Sequence, residues 1–192
     1  MRHPSRRGAG FTLVELMVTI AVLAILLAIG IPAFASLIAA NRLTSATNEL
    51  VASLQTARTE AIRRNARITV CPAAPTATAC SGNWRDGWMV FLDQTPGNAP
   101  APESAADILF RGGPSPQSIT IIGNTNVSSY ISFTADGASK LLSGAFQAGT
   151  VRVCSTSAAL ANDRRARDLV ISATGRIILT TPTGVPSNCP AP

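Results

Sequence analysis

Residues 11–38 read FTLVELMVTIAVLAILLAIGIPAFASLI, a 28-residue apolar run with one ionisable side chain, Glu15. A helix needs ~20 apolar residues to cross a bilayer core, so the run is long enough to span one. The ten residues before it, MRHPSRRGAG, are short, basic and lack any apolar stretch. Positive charge there predicts that residues 1–10 stay in the cytoplasm and that the chain beyond the run is exported. A secretory signal peptide would have an apolar core of roughly 7–15 residues followed by an A-x-A-like cleavage site. The run is about twice as long as such a core. A plain signal anchor explains the length and the charges but not Glu15.

An unpaired charge in a membrane span costs ~2–3 kcal/mol or more and marks a functional position by default. No Lys or Arg follows Glu15 until Arg42. A newly freed α-amino group on Phe11 would supply the missing positive charge, which requires cleavage between Gly10 and Phe11. The stretch Gly10-Phe-Thr-Leu-Val-Glu15 resembles the prepilin peptidase recognition motif of type IV pilins and type II secretion pseudopilins. The resemblance implies cleavage after Gly10 on the cytoplasmic face, N-methylation of Phe11, and a role for Glu15 in assembly. There Glu15 would pair with the amino terminus of a neighbouring subunit. It also implies the partners: prepilin peptidase, an inner-membrane assembly platform and other pilin or pseudopilin subunits.

Pro32 stands inside the apolar run. A mid-helix proline removes a backbone hydrogen bond and kinks the helix. In proteins with this motif a proline here, with a glycine such as Gly30 nearby, marks where the helix bends or melts inside a filament. A simple kink within the membrane is the other reading. From residue 39 to 67 the helix is expected to continue with two faces. Leu43, Leu50, Leu54, Ala57 and Ala61 form one apolar stripe, as helical periodicity requires. Arg42, Asn48, Gln55, Arg58 and Glu60 lie opposite, and Arg63, Arg64 and Arg67 close the end where cations suit the helix dipole.

Residues 68–192 change character. Short runs rich in β-branched and aromatic residues occur at 68–71, 88–92, 119–122, 130–133, 151–154, 169–171 and 177–181, with turn-forming residues between them. Thr95 to Ala106 is expected to be a Pro/Ala loop. One apolar helical stripe is buried most simply by a curved antiparallel sheet. The expected fold is thus α+β and type IV pilin-like, a long amino-terminal helix packed on a small antiparallel β-sheet domain. Its segments are a cleaved leader (1–10), a membrane and assembly helix (11–38), an amphipathic continuation (39–67) and a periplasmic β-rich domain (68–192).

Charged residues make up 14% of the chain, against roughly 25% in ordinary soluble domains. Without Arg2, Arg6 and Arg7 the 16 basic side chains fall to 13 against 10 acidic ones, a net charge of +3. That is too small to argue for a nucleic-acid partner. The only histidine, His3, lies in the leader, and none of the four cysteines is spaced CxxC, so a zinc site is not expected. Two disulfides in an oxidising compartment fit better. Nearest-neighbour pairing, Cys71–Cys80 and Cys154–Cys189, is the expected one of three connectivities.

Three further blocks carry a closer resemblance: Gly87-Trp-Met-Val-Phe-Leu-Asp93, Phe133-Thr-Ala-Asp-Gly137 and Ser172-Ala-Thr-Gly-Arg176. Their order resembles the GspH/FimT pseudopilins, and Glu60-Ala-Ile is similar to the helix ending of that group. On residue chemistry alone, Trp88, Phe91 and Phe133 are core, the three glycines are turn residues, and Asp93 caps a turn. The resemblance implies a minor type IV pilin that helps initiate or cap pilus assembly, or a GspH-like minor pseudopilin of type II secretion, rather than a major pilin. Some FimT-like members bind DNA through a carboxyl-terminal GRxR pattern. Here the pattern is Gly175-Arg176-Ile177-Ile178, so the second arginine is missing. Arg152, Arg164, Arg165, Arg167 and Arg176 could still form a basic patch suited to phosphate, although Asp163 and Asp168 flank it. No histidine, GxSxG motif or phosphate loop is available for enzymatic chemistry after residue 10. No cofactor is expected.

Overall fold

The computed structural model describes residues 11–94, 97 and 99–192; Gly10, half of the expected cleavage site, lies outside the described residues. The chain divides into two compact units, one ending at Leu37 and one comprising Ile38–Pro192. A single helix, α1 (Leu13–Arg64), runs through both, with Pro32 inside it. In the first unit its side chains are exposed or half-exposed. This part is apolar and long enough to cross a membrane.

In the second unit α1 buries Ala39, Leu43, Ala46, Thr47, Leu50, Ser53, Leu54, Ala57 and Ala61. The expected stripe is therefore wider, filled in by small residues that let the sheets approach the helix closely. The helix stops at Arg64 rather than residue 67. Asn65 adopts a left-handed φ of 51°, Ala66 N–H donates to the Ala61 carbonyl and Asn65 N–H to that of Ile62. These bonds close a Schellman-type cap. Glu60 pairs with Arg63 and Arg64 at 2.6 Å each. The hydrogen bond from Arg63, then that from Arg64, holds the Glu60 carboxyl down at about 2.

The remaining chain forms β1 (Ile68–Pro72), β2 (Trp88–Leu92), β3 (Ile108–Gly112), β4 (Ile119–Gly123), β5 (Ile131–Phe133), β6 (Gly149–Ser155), β7 (Ala166–Ile171) and β8 (Ile177–Thr180). They make two antiparallel four-stranded sheets, ordered β3-β2-β1-β5 and β4-β6-β7-β8, in place of the single expected sheet. Both sheets contribute to one core with α1. Ile68, Val70, Trp88, Val90, Ile131 and Phe133 come from the first sheet, and Ile119, Ile121, Val151, Val153, Leu169 and Ile171 from the second. The other face of the first sheet is also covered, by a second cluster of Cys71, Ala73, Met89 and Phe91. This explains why β1 and β2 read as continuous apolar runs rather than alternating ones.

Strand β3 lies just beyond the expected loop of Thr95 to Ala106, where no strand was expected. Its apolar stretch is only Ile108-Leu-Phe110, and it pairs at an edge with β2. It ends at Gly112, where a Cβ would sit 2.0 Å from the Trp88 indole. The glycine is there because the buried Trp88 ring occupies that space.

Candidate functional site

The described residues begin with Phe11, 77% exposed, followed by the first turn of α1. The Thr12 carbonyl accepts the Leu16 N–H at 3.1 Å and the Thr12 hydroxyl accepts the Glu15 N–H at 3.2 Å. Thr12 therefore caps the helix, and Glu15 lies exposed in its first turn. From Phe11 to Leu37 the large apolar side chains are half to three-quarters exposed. Such a surface cannot face water along its whole length; it requires lipid or other helices around it. Pro32 leaves the Ala28 carbonyl without its usual amide partner, and α1 continues across it.

The three sequence blocks fall at three structural points of the second unit. Gly87–Asp93 is the β2 strand and its flanks. Asp93 is buried; its carboxylate accepts a hydrogen bond from the Thr69 hydroxyl at 2.9 Å and its N–H donates to the Arg67 carbonyl. Burial pushes the Asp93 carboxyl up, with the Thr69 bond opposing. The other two blocks meet each other. Gly137 and Gly175 both take left-handed φ angles, 74° and 73°, and a Cβ on Gly175 would lie 2.0 Å from the Gly137 carbonyl oxygen. Arg58 of α1 clamps the junction, donating to the Gly137 carbonyl at 2.9 Å and the Thr174 carbonyl at 3.2 Å. Arg58, expected on the polar face, is thus a structural bridge from the helix to a turn of each sheet.

Arg67, expected to close the helix, instead donates to the Ser132 hydroxyl at 2.7 Å and the Lys140 carbonyl at 3.1 Å. Disulfides join Cys71 to Cys80 and Cys154 to Cys189, spanning 9 and 35 residues. The second packs with Ala166 and Val185, fastening the carboxyl-terminal tail to the second sheet.

The five arginines of the candidate patch separate into two groups. Arg152 forms a cross-strand pair with Asp168, two hydrogen bonds of 2.8 Å, and also donates to the Pro190 carbonyl. Arg165 is buried and donates to the carbonyls of Ser155, Ser157 and Leu160 and to the Asn162 side chain. Arg164 and Arg176 are exposed and Arg167 is half-buried. Arg167 also donates to the carbonyls of Arg164 and Ala166, so of the five only Arg164 and Arg176 keep exposed guanidinium groups that no hydrogen bond among the described residues engages. Among the described residues no group of three or more His, Cys, Asp or Glu side chains could hold a metal ion.

A long helix whose first half exposes apolar surface and whose second half seeds a disulfide-bonded β head defines a pilin-like subunit. Residues 46–175, more than half of the chain, match the family model described as Type II transport protein GspH. Residues 5–31 match the prokaryotic N-terminal methylation motif. The chain belongs to the GspH family, a family of structural pilin and pseudopilin subunits. Two crystal forms of the type IV minor pilin FimU from Pseudomonas aeruginosa (strain PAO1) are similar. One is 27% identical, covering 77% of this chain and 91% of that one, with a TM-score of 0.52. The other is 26% identical, covering 76% and 94%, with a TM-score of 0.50. Among curated proteins nothing matches the chain significantly.

Proposed function

We propose that this protein is a minor type IV pilin. Prepilin peptidase cuts it between Gly10 and Phe11 and the new amine is methylated. Residues 11–38 hold it in the bacterial inner membrane with residues 68–192 in the periplasm, and the subunit then enters the filament, where it initiates or caps the pilus. The observation that carries this reading is the combination of the methylation motif over residues 5–31 with an apolar helix that leaves Glu15 at its exposed start. Glu15 pairs with the Phe11 amine of a neighbouring subunit, and the likeness to FimU favours the pilus.

The description of the family model, a type II transport protein, favours a second reading: a GspH-like minor pseudopilin of protein secretion. A clean deletion separates the two when surface pili and protein secretion are scored in the same strain. Loss of pili with normal secretion is expected; loss of secretion with intact pili would assign the subunit to secretion instead.

Weak DNA binding during uptake rests on Arg164 and Arg176, since Arg152, Arg165 and Arg167 are engaged by groups of the fold itself. Two cations support only salt-sensitive, sequence-independent contact with phosphates.

A further inference from the structure

Thr12 and Glu15 have the spacing of a capping box, in which the cap hydroxyl takes the N–H three residues on and the acidic side chain reaches back to the cap's own N–H. Elsewhere in the chain such a box is complete. Ser104 and Asp107 form both halves, with the Asp107 carboxylate accepting from the Ser104 N–H at 2.7 Å. At the start of α1 only one half is formed. The Thr12 hydroxyl accepts the Glu15 N–H at 3.2 Å, while among the described residues the Glu15 carboxylate has no hydrogen bond or ion pair.

The two side chains therefore divide the work. First-turn N–H groups lack carbonyl partners within their helix, and without water an unsatisfied backbone donor is costly. The Thr12 hydroxyl satisfies one of them. The Glu15 carboxylate is then not drawn onto its own backbone and stays open to an external cation.

We infer that Thr12 is a positioning residue for assembly. Its hydroxyl caps α1 so that the Glu15 carboxylate remains available to the Phe11 amine of the neighbouring subunit. Without the hydroxyl, the first turn frays or Glu15 folds back to cap it. Either change moves the carboxylate away from the incoming amine. Thr12 acts through Glu15 and touches no partner itself. The inference rests on the pairing role proposed above for Glu15.

The test uses the full chain in its host, as Thr12→Val, Thr12→Ser and Glu15→Ala. Three quantities are read: the mass of the mature amino terminus, the amount of protein in the membrane, and the amount in sheared filaments. Valine keeps the branched shape and removes the hydroxyl; serine keeps the hydroxyl. Thr12→Val should be cleaved and methylated at normal membrane levels, yet enter filaments about five- to tenfold less, the size of one lost cap. Thr12→Ser should enter normally. Normal incorporation of Thr12→Val beside a failing Glu15→Ala would overturn the inference and leave the role of Glu15 standing. Failed cleavage of Thr12→Val would overturn it in favour of peptidase recognition. So would failure of Thr12→Ser to rescue. Normal incorporation of Glu15→Ala would instead remove the pairing role itself.

Discussion

The two halves of α1 are both rich in apolar residues, yet they meet opposite fates. From Leu13 to Leu37 no side chain is buried; from Ala39 on, each turn places at least one in the core. The difference lies in arrangement. The first half is apolar on every face, so no single face can be hidden against a protein partner within the chain. Apart from the half-exposed Ile62 near its end, the second half gathers its larger apolar side chains along one stripe and surrounds them with small residues such as Ala46, Ser53 and Ala57. Two sheets can then close over the stripe. Apolar content marks what must leave water, while periodicity decides whether the chain can bury it alone.

The sharpest contrast comes from equal truncations in the two halves. Leu54 is fully buried and Leu26 is 62% exposed. Leu54→Ala should cost the head about 2–5 kcal/mol, as buried leucine truncations do. Leu26→Ala should leave head stability unchanged. Chemical denaturation of the detergent-solubilised chain reads this directly, because both tryptophans, Trp84 and Trp88, are buried in the head. Equal losses from the two variants would break the distinction between the halves.

A second comparison lies within the head. The chain-entropy argument gives about 4 kcal/mol for the Cys154–Cys189 bridge and about 2.6 kcal/mol for the Cys71–Cys80 bridge, because the first closes 35 residues and the second 9. Paired Cys→Ser variants should lower the denaturation midpoint in that order. A larger loss from the shorter loop would contradict it.

The smallest effect is expected at Asp93. Its carboxyl is pushed up by burial, so the folded state favours the protonated form more than the unfolded chain does. The stability tied to that proton is present below the unfolded value near 3.8 and is lost as pH rises through the higher folded value. Asp93→Asn, which still offers Thr69 an acceptor, should therefore match or exceed the parent at pH 7, well above the unfolded value. Its advantage should shrink as pH falls toward 3.8. Midpoints measured across that range check the sign.

The parts of the fold that were legible in the sequence are those with a local signal. The recurrence of Leu43, Leu50 and Leu54 at spacings of seven and four needs no knowledge of what covers it, and the runs at Ile68 and Trp88 announce strands by composition. Strand β3 escaped because Ile108-Leu-Phe110 is short, half-buried and placed at a sheet edge. Its order arises from pairing with the preceding strand β2 across the connection at residues 93–107. The division into two sheets was hidden for the same reason, since pairing order is a property of the whole chain. The arginines show the limit most clearly. Nothing local distinguishes Arg165, buried among carbonyls, from Arg164 beside it, which is exposed. The Arg58 clamp could have been suspected only from the two glycine turns it joins, and those turns lie far apart in the chain.

In the proposed assembly role, the exposed half of α1 presents Glu15 to a neighbouring subunit. The most direct test is Glu15→Ala in the full chain, followed by mass spectrometry of the mature protein and by its detection in sheared filaments. The expected product is a protein cut after Gly10 and methylated on Phe11, present in the membrane and absent from filaments. A correctly processed Glu15→Ala protein that enters filaments at the parental level would contradict the proposed role.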